Sequence, residues 1–357
     1  MKKVICMLVM SSMALGMSAQ NEQHSEYIPV SQYWKEHNIL QHMDLSVTAG
    51  SMGIGLELSS PITDLFQVRV GYEFTPRIST KLKFNMMLGD ESAVGSERFE
   101  RRSQLMESIS GYKLEDHVDM IAKPTMNHVK MLLDIFPFKN NRNWHFTAGI
   151  YWGPKQIALA DNSAESMASL ITVGMYNGMY DRAKLGLPLI DFYGILTGIM
   201  GMDPDDADEY ISQNHLNVIP VDLYDIIISS GRMGFDLGFF VYDMTDSFGV
   251  EHKGGERYKL EPGPDGMVRV KAKANSLKPY LGFGYGGRLL KGRDDWQISF
   301  DAGALFWGGS PALYTHDGVN IVNDVRGVSG QVGKYIDLAK AFKVYPVLSL
   351  KITKRIF

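Results

Sequence analysis

The sequence is nearly free of cysteine, because Cys6 is the only one among 357 residues. Cys6 lies in the opening MKKVICMLVMSSMALGMSAQ, where two lysines precede a short apolar run and then small residues up to Ala19. This order is typical of a secretory signal peptide, so we expect residues 1–19 to be removed during export. The mature chain would then contain no cysteine, which excludes disulfides, thiolate metal sites and thiol catalysis.

A large excess of one charge is also missing, and so are long apolar runs. Lys and Arg number 36 against 40 Asp and Glu, with no long basic run, so we expect no nucleic-acid partner. The mean hydropathy is below zero, whereas a membrane-spanning helix needs about 20 apolar residues. A membrane β-barrel remains compatible with this composition, because every second residue of its strands faces a polar interior.

Motifs for catalysis or for a cofactor are missing as well. The glycine-rich GFGYGG at 282–287 lacks the spacing of a dinucleotide-binding loop, and we interpret its glycines as easing the curvature of a strand. The acidic DPDDADE at 203–209 lacks the glycine and terminal glutamate of a calcium loop, which favours the cap of a helix beginning near Asp205. The histidines are scattered, and no GxSxG, P-loop or kinase signature occurs. We therefore predict no enzymatic activity, no cofactor and no metal site.

What the sequence does contain is a repeated alternation of apolar and polar residues. In WHFTAGIYWG, residues 144–153, the residues Trp144, Phe146, Ala148, Ile150 and Trp152 occupy every second position. Successive side chains of a strand point to opposite faces, so this stretch predicts a strand with one apolar face. The same pattern occurs at 66–74, 128–136, 232–241, 296–307 and 344–357, at 45–58 with a phase slip at two glycines that indicates a bulge, and at 268–285 with a slip near Pro279.

The spacing of aromatic residues favours a membrane barrel over the alternative, a soluble β-sandwich whose apolar faces form a core. Aromatic residues about eight positions apart on one face span roughly 20 Å along a membrane normal, as the aromatic girdles of outer-membrane barrels do. The predicted interfacial aromatic residues are Phe66, Phe74, Trp144, Trp152, Trp296, Phe306 and Phe357. The predicted lumen-facing residues are Arg69, Glu73, Lys130, Asp134, Asp236, Arg269, Lys271, Lys273 and Asp301, and the same faces contain His128 and His145.

Seven blocks of the chain resemble a known group of proteins. They are TAGSMGIGLELSSPI, VRVGYEF, KMLLDIFPFK, FTAGIYWG, NSLKPYLGFGYG, DAGALFWGGSP and KVYPVLSLKITKRIF. Together they resemble the largely uncharacterised outer-membrane β-barrel proteins of Bacteroidota, with the weakest match at 155–230. The final Phe357 is also common in such barrels, although its parity differs from that of Leu348, Leu350 and Ile352. The resemblance implies a place in the cell outer membrane, with outer-membrane lipid and the barrel assembly machinery as partners, and it supplies no catalytic residues.

We therefore predict an all-β fold, an antiparallel transmembrane β-barrel of about 8 to 10 strands with long, partly helical loop insertions. After the signal peptide and an N-terminal segment (20–43), residues 44–357 form a single barrel domain with insertions at about 76–125 and 154–231. The apolar segment 186–202 is broken by glycines and contains Asp191, which predicts a helix buried in a plug or lid. A narrow pore, a ligand carrier and a surface scaffold stay open as functions. The soluble alternative is a secreted or periplasmic protein that binds a glycan or a protein partner.

Overall fold

The computed structural model describes residues 42–138, 141–214 and 221–356. The predicted signal peptide, nearly all of the predicted N-terminal segment and Phe357 lie outside the described residues. The strands are β1 (Asp44–Gly50), β2 (Gly53–Pro61), β3 (Phe66–Phe74), β4 (Thr80–Leu88), β5 (Glu91–Ser92), β6 (His117–Pro124), β7 (Asn127–Ile135), β8 (Trp144–Trp152), β9 (Gln156–Asn162), β10 (Met233–Phe240), β11 (Met244–Thr245), β12 (Glu251–His252), β13 (Arg257–Leu260), β14 (Arg269–Lys273), β15 (Leu277–Leu290), β16 (Arg293–Phe306), β17 (Ala312–Thr315), β18 (Val325–Arg326) and β19 (Val344–Arg355). The helices are α1 (Glu97–Ser110), α2 (Met167–Lys184), α3 (Phe192–Gly194) with a π-helical turn (Ile195–Ile199), α4 (Pro204–Gln213), α5 (Val221–Ser230) and α6 (Gly330–Ala341).

Eight of these strands close into an antiparallel barrel in the order β1-β19-β16-β15-β8-β7-β3-β2. The barrel closes where the first strand pairs with the last, with Asp44 opposite Arg355 and Gly50 opposite Ser349. Closure leaves the barrel without free strand edges, which would otherwise need another strand to satisfy their backbone groups. Eight strands agree with the predicted range, and the apolar faces do not form the core of a sandwich.

The alternation of the sequence places apolar side chains on the outside of the barrel. Leu56, Phe146 and Leu281 are each about 57 or 58% exposed, although they are large and apolar. The side chains between them point inward and are buried. A contiguous apolar surface of this extent is typical of a surface that contacts lipid or another protein.

The predicted aromatic residues lie on this outer face near both rims of the barrel. One rim carries both chain ends of the barrel and the short turns that follow β2, β7 and β15, and we call it the turn end. The opposite rim, from which the long insertions leave, is called the insertion end. Phe66, Trp144 and Trp296 lie toward the turn end, and Phe74, Trp152 and Phe306 lie at the insertion end.

Three regions interpreted as single barrel strands are organised differently. Residues 45–58 form two strands, because the glycines that suggested a bulge flank a tight turn at Ser51 and Met52. Residues 232–241 belong to a second sheet, and 268–285 is divided between that sheet and the barrel. The turns after β2, β7 and β15 then lie at the turn end and the β1–β2 turn lies at the insertion end, so the eight strands alternate in direction around the closed barrel.

The insertions fold together into a distal domain, which comprises the described residues of 75–126, 153–276 and 307–343. Its sheet has the order β13-β10-β4-β6-β9-β14-β17, with β18 on β10 and β5 on β4. The two end strands approach each other where the Tyr258 hydroxyl lies 2.9 Å from Oγ1 of Thr315, so the sheet is nearly closed. Helices α1, α2, α5 and α6 contribute buried residues to its core, including Met106, Leu170, Ile227 and Ile336.

Four predicted lumen residues lie in this second sheet instead of the barrel. Asp236 pairs with Arg257 at 3.2 Å, and Arg269 pairs with Asp265 at 2.6 Å. Lys271 is exposed, and Lys273 lies over the ring of Tyr314. The lumen prediction for Asp236, Arg269, Lys271 and Lys273 is therefore wrong, because alternation shows which faces a strand has but not which sheet it joins.

The prediction that the apolar segment 186–202 forms a helix buried in a plug or lid is also wrong. It contains only the short α3 and one π-helical turn. Leu189 is buried in the core of the distal domain and Leu196 packs against α4, but Ile199 is 80% exposed and Met200 is 67% exposed. The segment lies on the surface of the distal domain. None of the described helices is long and apolar enough to cross a membrane.

The acidic segment after it caps a helix, as predicted. Asp203 precedes α4, and its carboxylate accepts a hydrogen bond from the backbone N–H of Asp205 at 3.1 Å. Asp205 and Asp206 follow in the first turn, where negative side chains are favoured by the helix dipole.

Candidate functional site

Five of the predicted lumen residues lie together inside the barrel. They are Arg69, Glu73, Lys130, Asp134 and Asp301, each at most 4% exposed. Strands β3, β7 and β16 point these residues inward, because each occupies the parity opposite to the apolar residues of its strand. We call these residues, together with Glu57, His145 and Lys351, the lumen network.

Arg69 is the centre of the lumen network. Its Nη2 donates to Oδ1 of Asp134 at 2.9 Å, while its Nε lies 2.8 Å from the second oxygen of that carboxylate. Its Nη1 also lies 3.3 Å from Glu57 and 3.4 Å from Asp301. The planar guanidinium suits such a site, because it presents several N–H donors in one plane and stays charged when buried. Thr147 completes the arrangement by donating to Asp134 at 2.7 Å.

Two lysines neutralise most of the remaining carboxylate charge. Nζ of Lys130 lies 2.6 Å from Glu57 and 3.3 Å from Glu73. Nζ of Lys351 lies 3.6 Å from Asp301. Three permanent cations therefore contact four carboxylates. Buried charges of this kind are tolerated only when they are paired and hydrogen-bonded, as they are here.

His145 also contacts Asp301, and a glycine makes room for this contact. Nε2 of His145 lies 2.6 Å from Oδ1 of Asp301. A Cβ on Gly284 would overlap both of these atoms. On the same strand, a Cβ on Gly282 would overlap the hydroxyl of Tyr280. The inward glycines of GFGYGG thus leave space for lumen side chains, which goes beyond the strand curvature inferred from the sequence.

Two members of the lumen network, Glu57 and Lys351, are absent from the predicted lumen residues. The signal for them is present in the sequence. Exposed Leu56 and Leu58 flank Glu57, and the C-terminal strand alternates in the same way around Lys351. Both residues were hidden by strands whose phase was difficult to assign, at the glycine turn and near Phe357.

Side chains also fill both ends of the lumen. At the insertion end, Met52, Tyr151, Tyr280, Leu305 and Val347 belong to one buried apolar cluster. At the turn end, the buried ring of Phe136 lies 5.5 Å from that of His145, and the guanidinium of Arg142 lies 4.8 Å from the centre of the Phe136 ring. An eight-stranded barrel is just wide enough for side chains to fill, and these described residues fill it.

The distal domain carries a second concave site, a groove of about 1440 Å³ between α2, β13 and the β11–β12 hairpin. Tyr258 forms its floor and donates to the Asp317 carboxylate at 2.7 Å. Burial raises the pKa of Tyr258 well above its usual value, and the negative charge of Asp317 acts in the same direction. Beside it, His252 stacks on Phe240 with ring centroids 4.5 Å apart.

The wall of this groove combines apolar and charged groups. Phe248 is 60% exposed at the tip of the hairpin. On the other side Arg232 pairs with Glu261 at 2.5 Å, and the hydrogen bonds from Arg232 to Glu261 raise the pKa of Arg232. Burial lowers the pKa of His316, which also lines the groove. Among the described residues, no group of three or more His, Cys, Asp or Glu side chains is placed to hold a metal ion.

Comparisons with known proteins give only distant structural similarity. No protein-family model matches the chain, and no curated protein matches it. The solved structures with some similarity include CarO2 of Acinetobacter baumannii, with 13% identity and a TM-score of 0.32, over 88% of this chain and 98% of that one. CarO of the same organism has 12% identity and a TM-score of 0.33, over 87% and 96%. A major outer membrane protein from Thermus thermophilus has 8% identity and a TM-score of 0.26, over 88% and 98%.

Proposed function

We propose that this chain is an outer-membrane protein whose closed barrel anchors the distal domain at the cell surface. The apolar outer face and the aromatic residues at both rims support the membrane position, since this is how lipid-facing barrel surfaces are built. Such barrels have short turns on the periplasmic side and long loops outside. The turn end would then face the periplasm, and the distal domain would face the exterior.

The filled lumen is the observation that favours a scaffold over a pore. Arg69 and its carboxylate partners occupy the middle of the barrel, an apolar cluster occupies the insertion end, and Phe136 lies beside His145 at the turn end. A solute would have to displace paired buried charges, and leaving one such charge unpaired costs about 3–5 kcal/mol. We attribute no solute flux and no catalytic step to this barrel. Its partners in this role are outer-membrane lipid and, during insertion, the barrel assembly machinery.

The membrane position is tested by washing cell envelopes with carbonate and running the pellet on SDS gels with and without boiling. A closed barrel in the membrane should resist the wash and should migrate differently before and after heating. Release into the wash with no heat-dependent shift would contradict the proposal. The same preparation would show by N-terminal sequencing whether residues 1–19 are removed, which remains a prediction.

The scaffold role is tested by recording conductance in planar lipid bilayers. The wild-type protein should insert without producing regular current steps. The matched variant replaces Tyr151 and Tyr280 with alanine, which removes two rings from the insertion end but leaves the lumen network in place. It should also stay closed. Regular steps from the wild-type protein would instead support a narrow pore.

The groove of the distal domain supports ligand carriage as a second candidate function. An exposed aromatic tip at Phe248 beside buried polar groups is the kind of surface that binds small ligands. A glycan array probed with detergent-solubilised protein tests this role. Binding by the wild-type chain that is lost in Phe248→Ser would support it, and equal signals from the two proteins would not.

A further inference from the structure

Buried hydrogen-bond donors without partners collect at the insertion end of the barrel. Nζ of Lys278 is fully buried and meets no acceptor among the described residues. Both ring nitrogens of His128 are fully buried and equally without partners there, and so is Nε1 of Trp307. A lysine ammonium and an indole N–H can only donate. A neutral histidine adds one donor and one acceptor, so unpartnered donors outnumber acceptors at this place.

The strand register places Lys278 and His128 near each other. Lys278 lies opposite Tyr151 on the neighbouring strand. The ring of His128 lies edge-on to that same tyrosine, with centroids 6.0 Å apart. Trp307 adjoins this region through Tyr345, whose ring is 5.7 Å from the indole and packs against the cluster that contains Tyr151.

The charges of the lumen do not provide a counter-charge for Lys278. The carboxylates of Glu57, Glu73, Asp134 and Asp301 are all in contact with Arg69, Lys130 or Lys351. Among the described residues no carboxylate lies within 4.0 Å of the Lys278 ammonium, so this ammonium is buried without a counter-charge in contact with it. A buried ion without a partner is among the most costly groups that a folded protein can contain.

We propose that a small inorganic anion such as chloride binds between the Lys278 ammonium and the His128 ring, where the barrel joins the distal domain. A water molecule would satisfy the hydrogen bonds but not the charge, whereas an anion satisfies both. The anion would link β7 to β15 at the insertion end of the barrel and would stabilise the folded chain.

The test uses the full mature chain refolded into detergent micelles in gluconate buffer. Chloride or bromide is then added at constant ionic strength, and the unfolding temperature is measured. Ligand at several times its Kd should raise this temperature by about 2–4 °C and the rise should saturate. Lys278→Met should abolish the rise. Lys271→Met is the matched control, since Lys271 is exposed on β14, and it should respond as the wild type does.

Crystals of the wild-type protein grown in bromide provide a measurement that does not depend on the folding of any variant. An anomalous peak in contact with Nζ of Lys278 would support the proposal. Bromide found only on surface lysines, or an equal salt response from wild type and Lys278→Met, would overturn it.

Discussion

Replacing Arg69 with methionine tests the filled lumen most directly. The side chain is 2% exposed and contacts Asp134, Glu57 and Asp301. Without the guanidinium, Glu57 keeps Lys130, and Asp301 keeps Lys351 and His145. Asp134 retains only the hydroxyl of Thr147. One buried carboxylate therefore loses its cation, which should lower the free energy of unfolding by about 3–5 kcal/mol.

Removing the uncompensated charge should restore most of the stability. Arg69→Met combined with Asp134→Asn removes the uncompensated charge, and Thr147 can still donate to the amide oxygen. The double variant should return to within about 1–2 kcal/mol of the wild type, because replacing both members of a buried pair by neutral groups is far less costly than breaking it. If all of its neighbours stabilised the charge of Asp134 equally, the double variant would show no such recovery.

The assay is urea unfolding in lipid vesicles, with tryptophan fluorescence as the readout. Arg288→Met is the control, because Arg288 pairs with Asp294 on the surface and both side chains are 67% exposed. Surface pairs contribute about 0–1 kcal/mol, so this variant should be near wild type. A loss below about 1 kcal/mol for Arg69→Met, or no recovery in the double variant, would refute this account of the lumen.

Three further predictions concern single residues. Gly284→Ala should destabilise the barrel by about 1–3 kcal/mol, since its Cβ would overlap the buried histidine–aspartate pair, whereas Gly287→Ala meets open space and should be near neutral in the same unfolding assay. Tyr258→Phe leaves the buried carboxylate of Asp317 with fewer donors and should lower the unfolding temperature of the distal domain, at a cost of about 1–3 kcal/mol measured by calorimetry. Burial lowers the pKa of His316 below its unfolded value, so the stability that depends on an uncharged His316 is present above about pH 6.5 and is lost as the pH falls through the folded pKa. His316→Asn should reduce this loss of stability in acid, and an unchanged pH profile would show that other groups cause it.

Local alternation assigned the inward and outward faces of those barrel strands whose phase was clear. Arg69, Lys130 and Asp134 are buried where their parity placed them, and Trp144 and Trp152 are on the outer face. A strand's two-residue repeat is a property of its own backbone, so it can be recognised before any partner is known. For the same reason the aromatic residues near the two rims could be identified in advance.

Pairing between distant strands was decided only by the tertiary structure. Residues 232–241 alternate as a barrel strand does, yet β10 pairs with β4 and β13 of the distal domain. The two-strand turn at Met52, the exposed apolar segment 186–202 and the contacts that join Arg69 to Asp301 likewise depend on segments far apart in the chain. Alternation fixes the faces of a strand, but the choice of neighbour depends on side-chain packing and loop closure over many residues, which no local pattern encodes.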